Sequence, residues 1–367
     1  MFTRIIAIVA ATLLCGCSGL ATSTGDAAPT PFSLPAAHSN NAVAIAQGTN
    51  GPTLFSFNGL RGGKSHADIS NAAFACAIMA RRCDAIDDVP VPQGRLASVA
   101  VTLGLHIYVI GGYSVAKDGS EISEPEMHRL DPLTGDYERM ADMPVPVDDA
   151  VAVAYKDRYI YLISGWHDKG NVVLVQLYDS KNDSWSRASD FLGPAVFGHA
   201  GGIIGGSILI ADGVKILPEI EGAARFVPSN DVWRGDIDPA NPARIVWRKV
   251  KPHPGAPLYR MAAAGSASRG QVIFAGGSDN PYNFDGIGYD GTPSAPSPAI
   301  FGYDFASDSW RAYAAMPTAS MDHRGLLLSG DKAYIVGGMD GERSVIADIA
   351  KFTLTPVTAN EKAKNKD

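Results

Sequence analysis

With 367 residues, 46% of them hydrophobic and 19% charged, the chain has a globular composition, and its 39 glycines and 24 prolines suit short strands and frequent turns. The net charge is −7 and no basic stripe is present to release counterions from a phosphate backbone, which excludes a general nucleic-acid binder.

Taken in order, residues 1–16 read as a leader. Arg4 is the positive n-region and 5–14 the apolar h-region, too short to cross a bilayer as a mature helix. Leu14-Cys15-Gly16-Cys17 resembles a bacterial lipobox, which implies acylation of Cys17 and, with Ser18 following, a place in the periplasm anchored by lipid to the outer membrane. An ordinary signal peptide cut elsewhere is the alternative. Residues 17–30, rich in Ala, Thr, Ser and Gly, read as a flexible tether, so the membrane is met through a lipid anchor only.

From residue 31 onward one short apolar strand, closed by a glycine pair or its relic, keeps returning. The best copy is Tyr108-Val109-Ile110-Gly111-Gly112, and the closing glycines are Gly59, Gly112, Gly165, Gly213, Gly277 and Gly338. Their intervals are 53, 53, 48, 64 and 61 residues, the spacing of propeller blades. A continuous apolar run predicts a strand buried on both faces, and the glycine predicts a positive φ or a close backbone approach at its end.

A second landmark keeps phase with the first. Leu130-Asp131 precedes Tyr137, Tyr178-Asp179 precedes Trp185 and Tyr303-Asp304 precedes Trp310, the second anchor each time seven residues beyond the first. Turn residues fill the gap, as in Asp131-Pro132-Leu133-Thr134-Gly135, which predicts a hairpin whose anchors face each other. These marks resemble the kelch family over residues 32–354. The resemblance implies an all-β, six-bladed kelch-type β-propeller, with blades at about 42–93, 94–147, 148–197, 198–258, 259–322 and 323–355. Pro31-Phe32-Ser33-Leu34-Pro35 matches the outer strands around Met143 and Met316, and the last blade lacks such a strand. The N-terminal strand is therefore expected to join the last blade and close the ring, giving a domain over 31–357 and a polar tail over 358–367.

Cys76 and Cys83 fall where the first blade should carry its aromatic anchors, which predicts a disulfide across that hairpin in an oxidising compartment. Two cysteines with no paired histidine do not make a metal site, so no metal is expected.

Each blade begins near the central channel. The residues 14 to 18 positions before the glycine marks are Asn41, Arg95, Asp149, His199, Arg260 and Arg324, candidates to converge on one mouth. Long loops at 113–125, 214–230 and 278–298 add exposed candidates, the last carrying Tyr282, Phe284 and Tyr289 among carboxylates. Aromatics beside carboxylates suit sugar stacking and hydrogen bonding.

Ile208-Leu209-Ile210-Ala211-Asp212-Gly213, Gln271-Val272-Ile273-Phe274-Ala275-Gly276-Gly277 and Asn280-Pro281-Tyr282-Asn283-Phe284 resemble the periplasmic sialic acid mutarotases, or N-acetylneuraminate epimerases. That resemblance implies acid–base mutarotation of an acidic sugar without metal or redox cofactor. Arg95, Arg260 and Arg324 would clamp the substrate carboxylate, with Asn41 and Tyr282 beside it, while His199 and Asp149 or Glu219 exchange protons. Where that family has a glutamate after the blade-four glycine, this chain has Val214, with Glu219 and Glu221 farther on. The competing expectation is a non-catalytic lipoprotein that binds a glycan, a small anion or another envelope protein.

Overall fold

The computed structural model describes residues 32–218 and 225–357, so Cys17, Glu219, Glu221, the leader, the tether and the tail lie outside the described residues. Among the described residues there are five four-stranded antiparallel sheets and one three-stranded sheet, besides small hairpins on their loops. Blade three shows the pattern: Val151–Tyr155, Tyr159–Ile163, Val175–Asp179 and Ser184–Arg187 pair in sequence order as a meander. The first strands of the other blades are Ala42–Gly48, Val99–Leu103, Ala200–Ile204, Ala262–Ser266 and Leu327–Ser329. All six first strands line a central cavity of about 190 Å³.

The repeated apolar run is double-faced for a reason visible in the packing. Tyr161 and Ile163 face blade four, in one core with Ile208, Ile210 and Trp247. Ile160 and Leu162 face blade two, in another with Tyr108, Ile110 and Met127. Because successive side chains alternate across a strand, a strand packed between two sheets must be apolar at every position.

The hairpin anchors meet as expected. Leu130 opposes Tyr137, Tyr178 opposes Trp185, Tyr303 opposes Trp310 and, in blade one, Cys76 opposes Cys83 and is joined to it by a disulfide. The sixth sheet is completed by the N-terminal segment. Ser33 bridges Asp348, Leu34 donates its N–H to the Ala347 carbonyl at 2.8 Å and Phe32 accepts from the Ile349 N–H at 3.0 Å. Phe32 and Leu34 also bury themselves in the core between blades six and one, so the ring closes with apolar contact as well as hydrogen bonds.

The closing glycines follow from one crossing repeated in every blade. Gly165 has φ +105° and the space for its Cβ is taken by the Asp148 carbonyl, 2.6 Å away. The corresponding carbonyls of Ser39, Leu96, Phe197, Tyr259 and Met321 stand 2.6 to 3.0 Å from that space at the other five glycines. Only glycine tolerates both the conformation and the approach.

Candidate functional site

Immediately before each first strand the chain passes through a left-handed residue: Asn40, Ala97, Asp149, Gly198, Arg260 and Asp322, with φ between 50° and 69°. These six form a collar at one mouth of the channel, each blade bonded to its neighbour. Asp149 N–H donates to the Ala97 carbonyl at 3.2 Å, Gly198 to Asp149 at 3.0 Å, Arg260 to Gly198 at 2.9 Å and Asn40 to Asp322 at 3.2 Å. The Ala97 N–H is taken by the Asn40 side-chain oxygen at 2.7 Å. A left-handed non-glycine residue costs about 1 kcal/mol or more, and these inter-blade hydrogen bonds offset that cost.

Three of the sequence-expected residues meet at this collar. Arg260, 1% exposed, forks onto Asp149 (Nε to Oδ1 3.2 Å, Nη2 to Oδ2 2.8 Å) and reaches Asp322 Oδ1 at 2.9 Å and the Asn283 carbonyl at 2.7 Å. Arg324 pairs with the same Asp149 and donates twice to Asn40 Oδ1, at 2.7 and 2.9 Å. Burial alone would push the Asp149 carboxyl up, but the two guanidinium groups hold it below the usual carboxylate range. Two cations and two carboxylates thus neutralise each other, and neither arginine is left to clamp a substrate carboxylate.

The remaining expected residues are elsewhere. Arg95 turns into its own blade, onto Glu126 at 3.0 Å and the Gln93 carbonyl at 2.7 Å. His199 donates to the Ile163 carbonyl of the preceding blade at 3.0 Å, and burial lowers its pKa to about 4, which leaves it a neutral strut rather than a proton carrier. Asn41 does the same joining work, donating to Ser56 Oγ at 2.8 Å and to the Val336 carbonyl at 3.2 Å. Tyr282 is buried edge-on against Tyr259 and beneath Arg260, so its ring packs and offers no stacking surface. Counting back from the glycines found the collar at Asp149 and Arg260 and slipped by one or two residues at the other four blades.

Beside the collar opens a second cavity, of about 230 Å³, that the sequence did not assemble. Its walls come from the long loops of four blades: the hairpin Tyr113–Val115 with Glu121–Ser123, the hairpin of Trp166–His167 with Gly170–Asn171, the pair Val214–Ile216 and Phe226–Pro228, and loop 278–298. Phe226 stacks on Tyr289 at 4.0 Å, and Trp166 meets Phe197 edge-on at 5.6 Å, giving a continuous aromatic wall. Opposite chemistry shares the space. Asp148, Asp149, Glu121 and Asp168 line the cavity, and among the described residues no Lys, Arg or His does.

Asp148 is the residue to notice. Its backbone pairs both ways with Trp166, at 3.0 and 2.9 Å, in the same bridge that every blade forms between the residue before the collar and the residue after the glycine. Its Oδ2 accepts from Ser123 Oγ at 2.7 Å, whereas Oδ1 accepts nothing among the described residues although the side chain is nearly buried. Burial, then the neighbouring Asp149 charge, pushes its carboxyl well above the usual range. Asp168 accepts the Ser123 N–H at 3.1 Å, and Glu121 accepts from Asn283 Nδ2 at 2.9 Å.

No family model matches the chain. Among curated proteins it is similar to Kelch-like protein 15 of Mus musculus, 24% identical over 243 residues covering 64% of this chain and 37% of that protein. Kelch-like protein 36 of Bos taurus is 23% identical over 279 residues, 74% of this chain and 40% of that one. Kelch-like protein terF of Aspergillus terreus is 25% identical over 283 residues, 74% and 54% respectively. The chain therefore spans about half the length or less of these curated relatives. A solved structure of YjhT superposes with a TM-score of 0.69 at 16% identity, covering 90% of this chain and 97% of that one, a likeness of fold.

Proposed function

The chain is a kelch-repeat β-propeller, and we propose that its loop-face cavity takes a single sugar ring and exchanges its anomers by acid–base chemistry. The observation that carries this reading is the buried Asp148 on the cavity wall, with one oxygen unpartnered among the described residues and its carboxyl pushed well above the usual range by burial. Mutarotation needs one group to take the anomeric hydroxyl proton and another to protonate the ring oxygen; the ring opens and recloses on either face. Asp148 supplies the proton to the ring oxygen. Asp168 or Glu121 accepts the other, and the wall of Trp166, Phe226 and Tyr289 receives the apolar face of the sugar. The volume of about 230 Å³ is below the roughly 300–1,000 Å³ of pockets for drug-sized ligands, which favours a monosaccharide over a chain of them. The lipobox resemblance at Cys17 supports a place in the periplasm, held at the outer membrane by lipid.

The acid works only while protonated, so the rate should fall as pH rises through the elevated Asp148 pKa. Exchange spectroscopy on dissolved glucose and glucosamine is the test, with Asp148→Asn expected to lose about a hundredfold in rate while its melting temperature stays close to the parent. Wild-type exchange in that variant would remove Asp148 from the chemistry. A second reading, docking of an envelope protein, draws on Ile122, Leu217 and Ile287, exposed apolar residues carried by the same loops.

A further inference from the structure

We infer that the sugar bound in the loop-face cavity carries a protonated amine, as a free amino sugar does. This rests on the reading that the cavity takes a sugar, and it reverses the sign of charge that the channel arginines led the sequence to expect.

Three observations carry it. First, the two arginines of the collar are already answered. Arg260 is shared between Asp149, Asp322 and the Asn283 carbonyl, Arg324 between Asp149 and Asn40, and neither lines a free anion subsite in this cavity. Second, among the described residues the lining contains four carboxyl groups, of which Asp149 is already ion-paired, and no basic side chain. An anionic sugar would have to approach Glu121 and Asp168 without a countercharge, and a neutral one would desolvate them without answering them. Third, Asp148 is 4% exposed and lines the cavity with Oδ1 unpartnered among the described residues, so a bound sugar answers it at the ring oxygen and leaves the ammonium to the carboxylates of Glu121 and Asp168. The faces of Trp166, Phe226 and Tyr289 add the π surface that attracts a desolvated cation.

Calorimetric titration of the whole domain with glucosamine, glucose, N-acetylglucosamine, N-acetylneuraminate and methylammonium, at a pH where the amines are protonated, separates the possibilities. Glucosamine is expected to bind at least about tenfold more tightly than glucose or N-acetylglucosamine, and N-acetylneuraminate most weakly. Asp168→Asn should shrink the preference for glucosamine over glucose by about tenfold, and an unchanged preference would count against the inference. If glucose binds as well as glucosamine, the amine inference fails and the sugar reading stands. If methylammonium binds and no sugar does, the amine stands and the sugar reading fails. Preferential binding of N-acetylneuraminate, or no binding by any of the five, overturns the inference.

Discussion

Replacing Arg260 with methionine is expected to destabilise the propeller by about 3–5 kcal/mol, the scale measured when one partner of a buried ion pair is removed. The guanidinium is 1% exposed and is the common partner of Asp149 and Asp322, which belong to blades three and six. Without it, Asp149 keeps Arg324, but Asp322 keeps no cation among the described residues and already has Oδ2 buried and unpartnered. A large part of the loss is therefore an uncompensated carboxylate rather than a missing attraction. Adding Asp322→Asn to Arg260→Met should restore some stability, a signature that simple loss of packing would not give. Urea titration reads this directly, with the exposed Arg82→Ala as the control expected to change little. A loss below about 1 kcal/mol for Arg260→Met would show that the collar does not depend on this pairing.

The second large effect is expected at a glycine. Gly165→Ala should cost about 3 kcal/mol or more, because the new Cβ meets the Asp148 carbonyl at 2.6 Å and the backbone is held at φ +105°. Gly135→Ala separates the two causes. That residue also has positive φ, +85°, but nothing lies within 4 Å of its would-be Cβ, so only the conformational strain of about 1 kcal/mol remains. Thermal unfolding of both variants checks the difference. Equal losses would mean that conformation alone fixes these glycines and that the crossing does not. Gly165→Ala should also displace Asp148, whose carbonyl is the obstacle, so it is expected to weaken ligand binding where Gly135→Ala does not.

The same contrast explains what could be read from the amino-acid sequence. Gly59, Gly112, Gly165, Gly213, Gly277 and Gly338 were visible because each obeys one steric requirement, imposed by a carbonyl that every blade presents whatever its side chain. Tyr178 with Trp185 and Cys76 with Cys83 were visible because a hairpin places residues seven apart directly opposite each other. The cavity had no such signal. Its wall uses the position after the glycine, which is Leu60, Tyr113, Trp166, Val214, Ser278 and Met339 in turn, and the position before the collar, where Asp148 alternates with Ser39, Leu96, Phe197, Tyr259 and Met321. The backbone bridge repeats sixfold while the chemistry varies from blade to blade, so periodicity points to the scaffold and hides the site. His199 and Asn41 misled for a related reason: a polar residue beside the channel serves equally well to tie one blade to the next, and only the carbonyls of Ile163 and Val336 reveal which task it has.

Tryptophan fluorescence offers the most direct measurement of whether the loop-face cavity is the binding site. Of the chain's five tryptophans, Trp166 alone lines it. Titrating glucosamine into the intact protein should give a saturable change in emission that disappears in Trp166→Phe while that variant melts near the parent temperature. No change in the parent protein, or the same change in Trp166→Phe, would contradict a sugar site beside the collar.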